Sequence, residues 1–209
     1  TGKTFLLGHT LRWFPGMQFI KRMIEEGRLG VVVAGRAMCQ GYRSLEVART
    51  DYRRYEKAAL LLDYAHELDY MRWYLGDVTT AKAVATTMGR REHIMTPNVI
   101  DAVLQFAGGA TGAIHWDYVM KPGVREIEIL GDDGHIYYDT GQPTLDFYTG
   151  TEGACEKIPV KPADYDDPYR AEIQHFLDAV DGKTTPLVTA QDGLATLKVI
   201  YAIVESYEG

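Results

Sequence analysis

The segment DYAHELDY at residues 63–70 carries one imidazole and three carboxylates, and it sits inside the otherwise apolar run LLLDYAHELDYMRWYL. Asp63 precedes His66 by three positions, a spacing that on a helix brings a carboxylate beside an imidazole, where it orients the ring and raises its basicity. A pair of that kind suits proton transfer to or from a hydroxyl. At about 100° per residue, Leu61, Tyr64, Ala65, Leu68, Met71 and Leu75 fall on one side and Asp63, His66 and Tyr70 on the other, flanked by Glu67 and Asp69. The residues alone leave other readings open. The face is equally that of a solvated helix, or of a structural histidine held by its neighbours. Asp63, His66 and Glu67 also offer metal-binding atoms, but the His-Glu pair lacks the second histidine of H-E-x-x-H, and no metal is expected.

A helix from about Ala58 to Leu75, closed by Gly76 at a C-cap position, must present that face. Before it, TFLLGHTLRW reads as a short strand, MQFIKRMIEEGRLG as a helix ending at glycines, and VVVAGRAMCQGYR as a strand running into the polar SLEVARTDYRRYEK. From Val78 to about Val160 the pattern changes to short segments separated by Gly-Gly, Pro-Gly, Asp-Asp-Gly and Gly-Gln-Pro turns, which predicts adjacent and mostly antiparallel strands. Two helices close the chain, PYRAEIQHFLDAVDG and TAQDGLATLKVIYAIVESYEG, the second with Thr189 as N-cap. The order predicts an α+β domain: one open, mostly antiparallel sheet with helices packed on one face.

The chain of 209 residues is 46% hydrophobic, enough for a substantial core. Its net charge of −7, with no basic stripe, argues against nucleic acid. Cys39 and Cys155 lie far apart without CxxC neighbours, so neither a zinc cage nor a disulfide framework is signalled, and a reducing, cytoplasmic setting is expected. No apolar run reaches membrane-spanning length and no signal peptide opens the chain, so no membrane partner is expected. The GKT at residues 2–4 lacks the rest of a phosphate-binding loop, Gly108-Gly109 and GDDG at 131–134 read as hairpin turns, and His93, His115, His135 and His175 share no spacing. Thr1 opens directly onto an apparent strand, which suggests a truncated chain.

Taken together, four blocks resemble the Gfo/Idh/MocA oxidoreductases, relatives of glucose-fructose oxidoreductase and inositol dehydrogenase. They are GHTLRWFPGMQFIKRMIEEGRLG, DYAHELDYMRWYLGD, IHWDYVMKPGVREIEILGDDGHIYYD and DGLATLKVIYAIVESYEG. The resemblance implies a C-terminal substrate-binding and oligomerisation domain over residues 1–209, with 1–13 leading from a dinucleotide-binding domain whose G-x-G-x-x-G and Glu-Lys-Pro lysine would precede Thr1. It implies NAD or NADP, bound mainly outside this chain, and a sugar, cyclitol or sugar-derivative substrate. His66 would exchange a proton with the substrate hydroxyl and Asp63 would orient it, although some relatives carry that aspartate where this chain has Leu62. Arg12 and Trp13 would line the substrate cleft, Arg12 also touching the cofactor, with Tyr70, Asp117 and Tyr118 as further substrate contacts. Lys57-Ala58-Ala59 replaces the family's glycine-rich triplet, and the stretch from Tyr52 to Leu60 is short. The chain alone would then be inactive, and the uncovered sheet face would join a homodimer or homotetramer. The rival readings are a non-catalytic binding or dimerisation module of the same fold and a metal-dependent hydrolase.

Overall fold

The computed structural model describes residues 2–42, 55–87 and 96–209; His93 and most of the polar stretch after residue 43, Tyr52 included, lie outside the described residues. A sheet of eight strands dominates, in the order β2-β3-β4-β1-β5-β6-β7-β8. The strands are β1 (Val32–Gln40), β2 (Val78–Thr86), β3 (Val99–Phe106), β4 (Thr111–Asp117), β5 (Val124–Gly131), β6 (Gly134–Asp139), β7 (Thr144–Thr149) and β8 (Ala154–Pro159). Every neighbouring pair is antiparallel except β1 with β4, which run parallel from Ala34 opposite Thr111 to Gln40 opposite Asp117. β1 is reached early and then flanked by strands from the later meander, so the α+β class and the mostly antiparallel sheet hold as the sequence predicts.

Period-two alternation decides which face is covered. On β3, Ile100, Ala102, Leu104 and Phe106 are buried while Asp101 and Val103 are exposed; on β4, Gly112, Ile114 and Trp116 are buried while Thr111 and Ala113 are exposed. Helices cover the buried face. Among the described residues they are α1 (Pro15–Glu25), α2 (Ala59–Asp63), α3 (His66–Leu75), α4 (Asp167–Val180) and α5 (Ala190–Glu208). α3 lies on β1, α5 lies on β2, and α4 packs on a 3-10 turn at Thr10–Trp13. Gly35 of β1 sets the depth of α3, because a Cβ there would fall 2.6 Å from Met71 Cε and 2.9 Å from Leu75 Cδ1. The opposite face keeps Val84, Val103 and Val33 exposed and bears a shallow groove edged by Arg36, Met38, Lys82, Asp101 and His115.

Two expectations change. TFLLGHTLRW forms no strand among the described residues: Leu7 N donates to Val188 O, just before α5, at 3.1 Å, and the segment then tightens into the 3-10 turn. A strand needs a ladder partner, and this segment pairs with no strand among the described residues. The helix predicted from Ala58 to Leu75 is broken, because Tyr64 (φ −117°, ψ 40°) leaves the helical region and separates α2 from α3. Tyr64 is held there by tertiary bonds: its hydroxyl donates to Gly41 O at 3.0 Å and its carbonyl accepts from Trp116 Nε1 at 3.3 Å. At the far end Thr189 caps α5 as predicted, in a reciprocal capping box with Asp192.

Candidate active site

The break at Tyr64 places His66 at the first position of α3, with Glu67 and Asp69 in the first turn, where carboxylates favour the helix dipole. Leu60, Leu61, Leu68 and Met71 are fully buried and seat this helix pair on the sheet. Burying Glu67 and Asp69 beside them requires a cation for each. Arg12, from the 3-10 turn, donates Nε and Nη2 to the two Asp69 oxygens at 2.9 and 2.8 Å. Arg125, from β5, donates Nε to Glu67 Oε1 at 2.8 Å and Nη2 to Cys39 Sγ at 3.3 Å. Burial works against the Arg125 charge, but Glu67 outweighs it and holds the guanidinium firmly protonated. Burial, then the charge of Glu67, pushes the Cys39 thiol up, so it stays a neutral packing group.

His66 itself is half-buried. Its Nδ1 lies 3.3 Å from Nδ1 of His9, with the rings edge to face at a centroid separation of 5.3 Å. On its far side, Nε2 of His9 stands 3.7 Å from Asp69 Oδ1. Burial first, then the positive charge of Arg125 and the neighbouring His9, lower the His66 pKa to about 3. Burial also lowers His9, against the pull of Asp69. His66 is therefore a neutral imidazole at neutral pH, its basicity held below the ordinary value by burial. Asp63, also half-buried, has its pKa raised to about 6 by burial, which a hydrogen bond from the Tyr118 hydroxyl partly offsets.

The structure brings some of the predicted residues together and moves others away. Asp63, His66 and Tyr118 gather where α2, α3 and the end of β4 meet, yet no hydrogen bond joins Asp63 to His66 among the described residues. The broken helix removes the regular three-residue geometry, and the bond that each shows leads to Tyr118 and to His9 instead. Tyr70 does not face a cleft: it is fully buried, with Glu67, Arg125 and Cys39 acting on its hydroxyl. Asp117 is tied to its own loop, its Oδ1 accepting from Val119 N and Met120 N and its Oδ2 meeting His115 Nε2 at 3.1 Å. Arg12 is 4% exposed and engaged on three sides, since Nη1 also donates to Leu187 O at 3.2 Å; it anchors Asp69 and leaves no open edge for a cofactor phosphate. Trp13 remains half-buried against His175, with ring centroids 5.8 Å apart.

His9 and Arg125 were not found by reasoning from the sequence. His9 is 57 positions from His66 and no local spacing links them; Arg125 reaches the site only through the pairing of β5 with β1. An apolar cavity of about 370 Å³ opens beside His9, lined by Leu7, Ala65, Leu194, Leu197 and Ile200. Among the described residues, no three His, Cys, Asp or Glu side chains converge as a metal site, and no helix is long and apolar enough to cross a membrane. What the arrangement offers is one neutral, partly accessible imidazole with a buried hydrogen-bonded partner, next to a carboxyl poised near neutrality.

The chain is 21% identical over 198 residues to 2,7-anhydro-N-acetylneuraminate hydratase of Escherichia coli (strain K12), covering 89% of this chain and 52% of that protein. It is 24% identical over 216 residues to scyllo-inositol 2-dehydrogenase (NAD(+)) of Bacillus subtilis (strain 168), covering 99% and 61%. The chain thus spans about half to three-fifths of the length of these relatives. Its fold matches an oxidoreductase from Agrobacterium radiobacter, solved in complex with NAD+, L-tartaric acid and magnesium, at a TM-score of 0.80 and 22% identity, covering 98% of this chain and 63% of that one. The model of the GFO/IDH/MocA C-terminal domain matches residues 17–137, more than half of the chain. The chain belongs to the Gfo/Idh/MocA family.

Proposed function

We propose that this chain is the substrate-binding half of an NAD(P)-dependent oxidoreductase acting on a sugar, cyclitol or sugar derivative, with His66 exchanging the proton of the substrate hydroxyl. The observation that carries the proposal is the state of His66: a neutral imidazole at the start of α3, mostly buried but not sealed from solvent, with one ring nitrogen committed to His9 and the other without a partner among the described residues. An alcohol that loses hydride must also lose its hydroxyl proton, and a neutral imidazole offers a lone pair to receive it. The named relatives, which act on an anhydro-sugar acid and on an inositol, support a polyhydroxylated substrate.

The dinucleotide would supply the hydride acceptor, and the residues of this chain do not fit its cradle. No G-x-G-x-x-G occurs in the sequence, and the guanidinium of Arg12 is spent on Asp69 and Leu187. The chain's own share of the chemistry is to hold the substrate and move a proton at His66. Asp63, tied to Tyr118, lies near the same helix start and would take part in substrate contact rather than in orienting the imidazole. A second reading is favoured by the hydratase among the relatives: proton transfer at the same imidazole would serve net addition of water.

The test is His66→Ala in the complete enzyme with a turned-over substrate. Removing a general base typically costs about 10² to 10⁴ in rate, so kcat should fall by that factor while dinucleotide affinity and folding stay near wild type. Turnover at the wild-type rate would remove His66 from the mechanism. Accumulation of reduced nicotinamide distinguishes oxidation from net hydration.

A further inference from the structure

We infer that His9 is a positioning residue that fixes the tautomer of His66, leaving Nε2 of His66 as the bare nitrogen that meets the substrate hydroxyl. The argument begins with a constraint. Two neutral imidazoles that meet Nδ1 to Nδ1 at 3.3 Å need one N–H and one lone pair between them, so only two arrangements exist. The far side of His9 chooses between them. Its Nε2 lies 3.7 Å from Asp69 Oδ1, and Asp69 is the one carboxylate within 4 Å of this ring among the described residues. Both side chains are almost entirely buried, where electrostatic preferences are strong. An N–H directed at that carboxylate is attracted, whereas a lone pair is repelled. His9 therefore carries its proton on Nε2 and presents a bare Nδ1. His66 must then donate from Nδ1, which leaves its Nε2 unprotonated.

The other charges around His9 are mixed. Arg12 forks onto Asp69 and holds both oxygens in place, but its own charge and that of Arg72 of α3 disfavour an added proton on His9, while Asp192 of α5 favours one. Arg125 of β5 lies on the His66 side, disfavours an imidazolium there, and has no acceptor oxygen that would hold a proton on His66 Nε2. When a substrate O–H bond breaks, its proton goes to Nε2 of His66, and the resulting imidazolium keeps its Nδ1–H bond to His9. Part of the new charge is then met by the line from His9 to Asp69.

This inference rests on the proposed role of His66, but its first readout does not require turnover. In the chain labelled with nitrogen-15 at histidine, imidazole spectra near neutral pH should show His66 protonated at Nδ1 and bare at Nε2, with His9 the reverse. His9→Phe keeps the bulk of the ring but removes the acceptor, so the His66 tautomers should mix. His9→Asn places an amide oxygen near the former Nδ1 and should restore the single tautomer. In the complete enzyme His9→Phe should lower kcat about ten- to a hundredfold with KM little changed, the scale seen when a partner that sets a ligand's or base's tautomer is lost. His9→Asn should recover most of it. A wild-type His66 protonated at Nε2, or an unchanged His66 tautomer in His9→Phe, overturns the inference. If His9→Phe does not fold, the spectra of the wild type and His9→Asn still decide it. The expected tautomer together with wild-type turnover by His66→Ala would sink the functional reading and leave the tautomer assignment standing.

Discussion

Arg12 and Asp69 meet through two parallel hydrogen bonds of 2.9 and 2.8 Å, with both side chains almost wholly removed from solvent. That fork ties the N-terminal segment to the first turn of α3 and so fixes where His9 stands relative to His66. Removing one partner of a buried ion pair strands the other charge, which typically costs about 3–5 kcal/mol. Arg12→Ala should lower unfolding stability by roughly that amount in denaturant titration. A loss below about 1 kcal/mol would place the pair with ordinary surface bridges.

The pairing of Glu67 with Arg125 makes a different claim. Glu67 Oε2 is buried without a partner among the described residues, so this pair is imperfectly satisfied. Glu67→Leu and Arg125→Met should each destabilise by roughly 3–5 kcal/mol, because each leaves an unmatched buried charge. The double variant should lose much less than the sum of the two. Additive losses would show that the two side chains contribute through packing rather than through each other's charge.

Stability should depend on pH through His66, with a sign that can be worked out. In the unfolded chain the imidazole binds a proton below about 6.5, its ordinary value, whereas in the folded chain its pKa is lowered to about 3. Between these values the unfolded state holds more protons, so stability falls as pH drops from 6.5 towards 3. Asp63, raised to about 6, acts in the opposite direction and loses stability as pH rises from the ordinary carboxylate range to 6. His66→Gln should flatten the acid limb in thermal melts taken across this interval. An unchanged limb would show that the imidazole is not held neutral by the fold.

The sheet face that the described helices leave open yields the prediction about assembly. Val84 is 76% and Val103 60% exposed, diagonal to each other on β2 and β3, with Asp101 opposite Val84 and Lys82 opposite Val103. Exposed valines on a broad sheet favour burial against a second copy. Light scattering at tens of micromolar should report a dimer or tetramer, and Val103→Asp with Val84→Lys should shift it towards monomer. A strictly monomeric wild type would refute the assignment of this face.

What the sequence determined is what local pattern can encode. The strand alternation from Val78 onward, the capping box at Thr189 and the turn glycines all act within a few residues, and the joint spacing of four blocks pointed to the family. It also pointed to His66, because an imidazole flanked by carboxylates in an apolar run is chemically conspicuous. Tertiary structure decided the rest. A single helix satisfies the local periodicity of 58–75, but bonds from Tyr64 to Gly41 and from Trp116 to Tyr64 hold a break that local pattern does not contain. Packing buried Tyr70, and Asp63 is bonded by Tyr118. His9, 57 positions away, became the partner of His66, and Arg125, 58 positions away, became the partner of Glu67. Contacts of that range depend on how strands register and helices seat, because the energy that selects them belongs to the packed core and not to any segment within it.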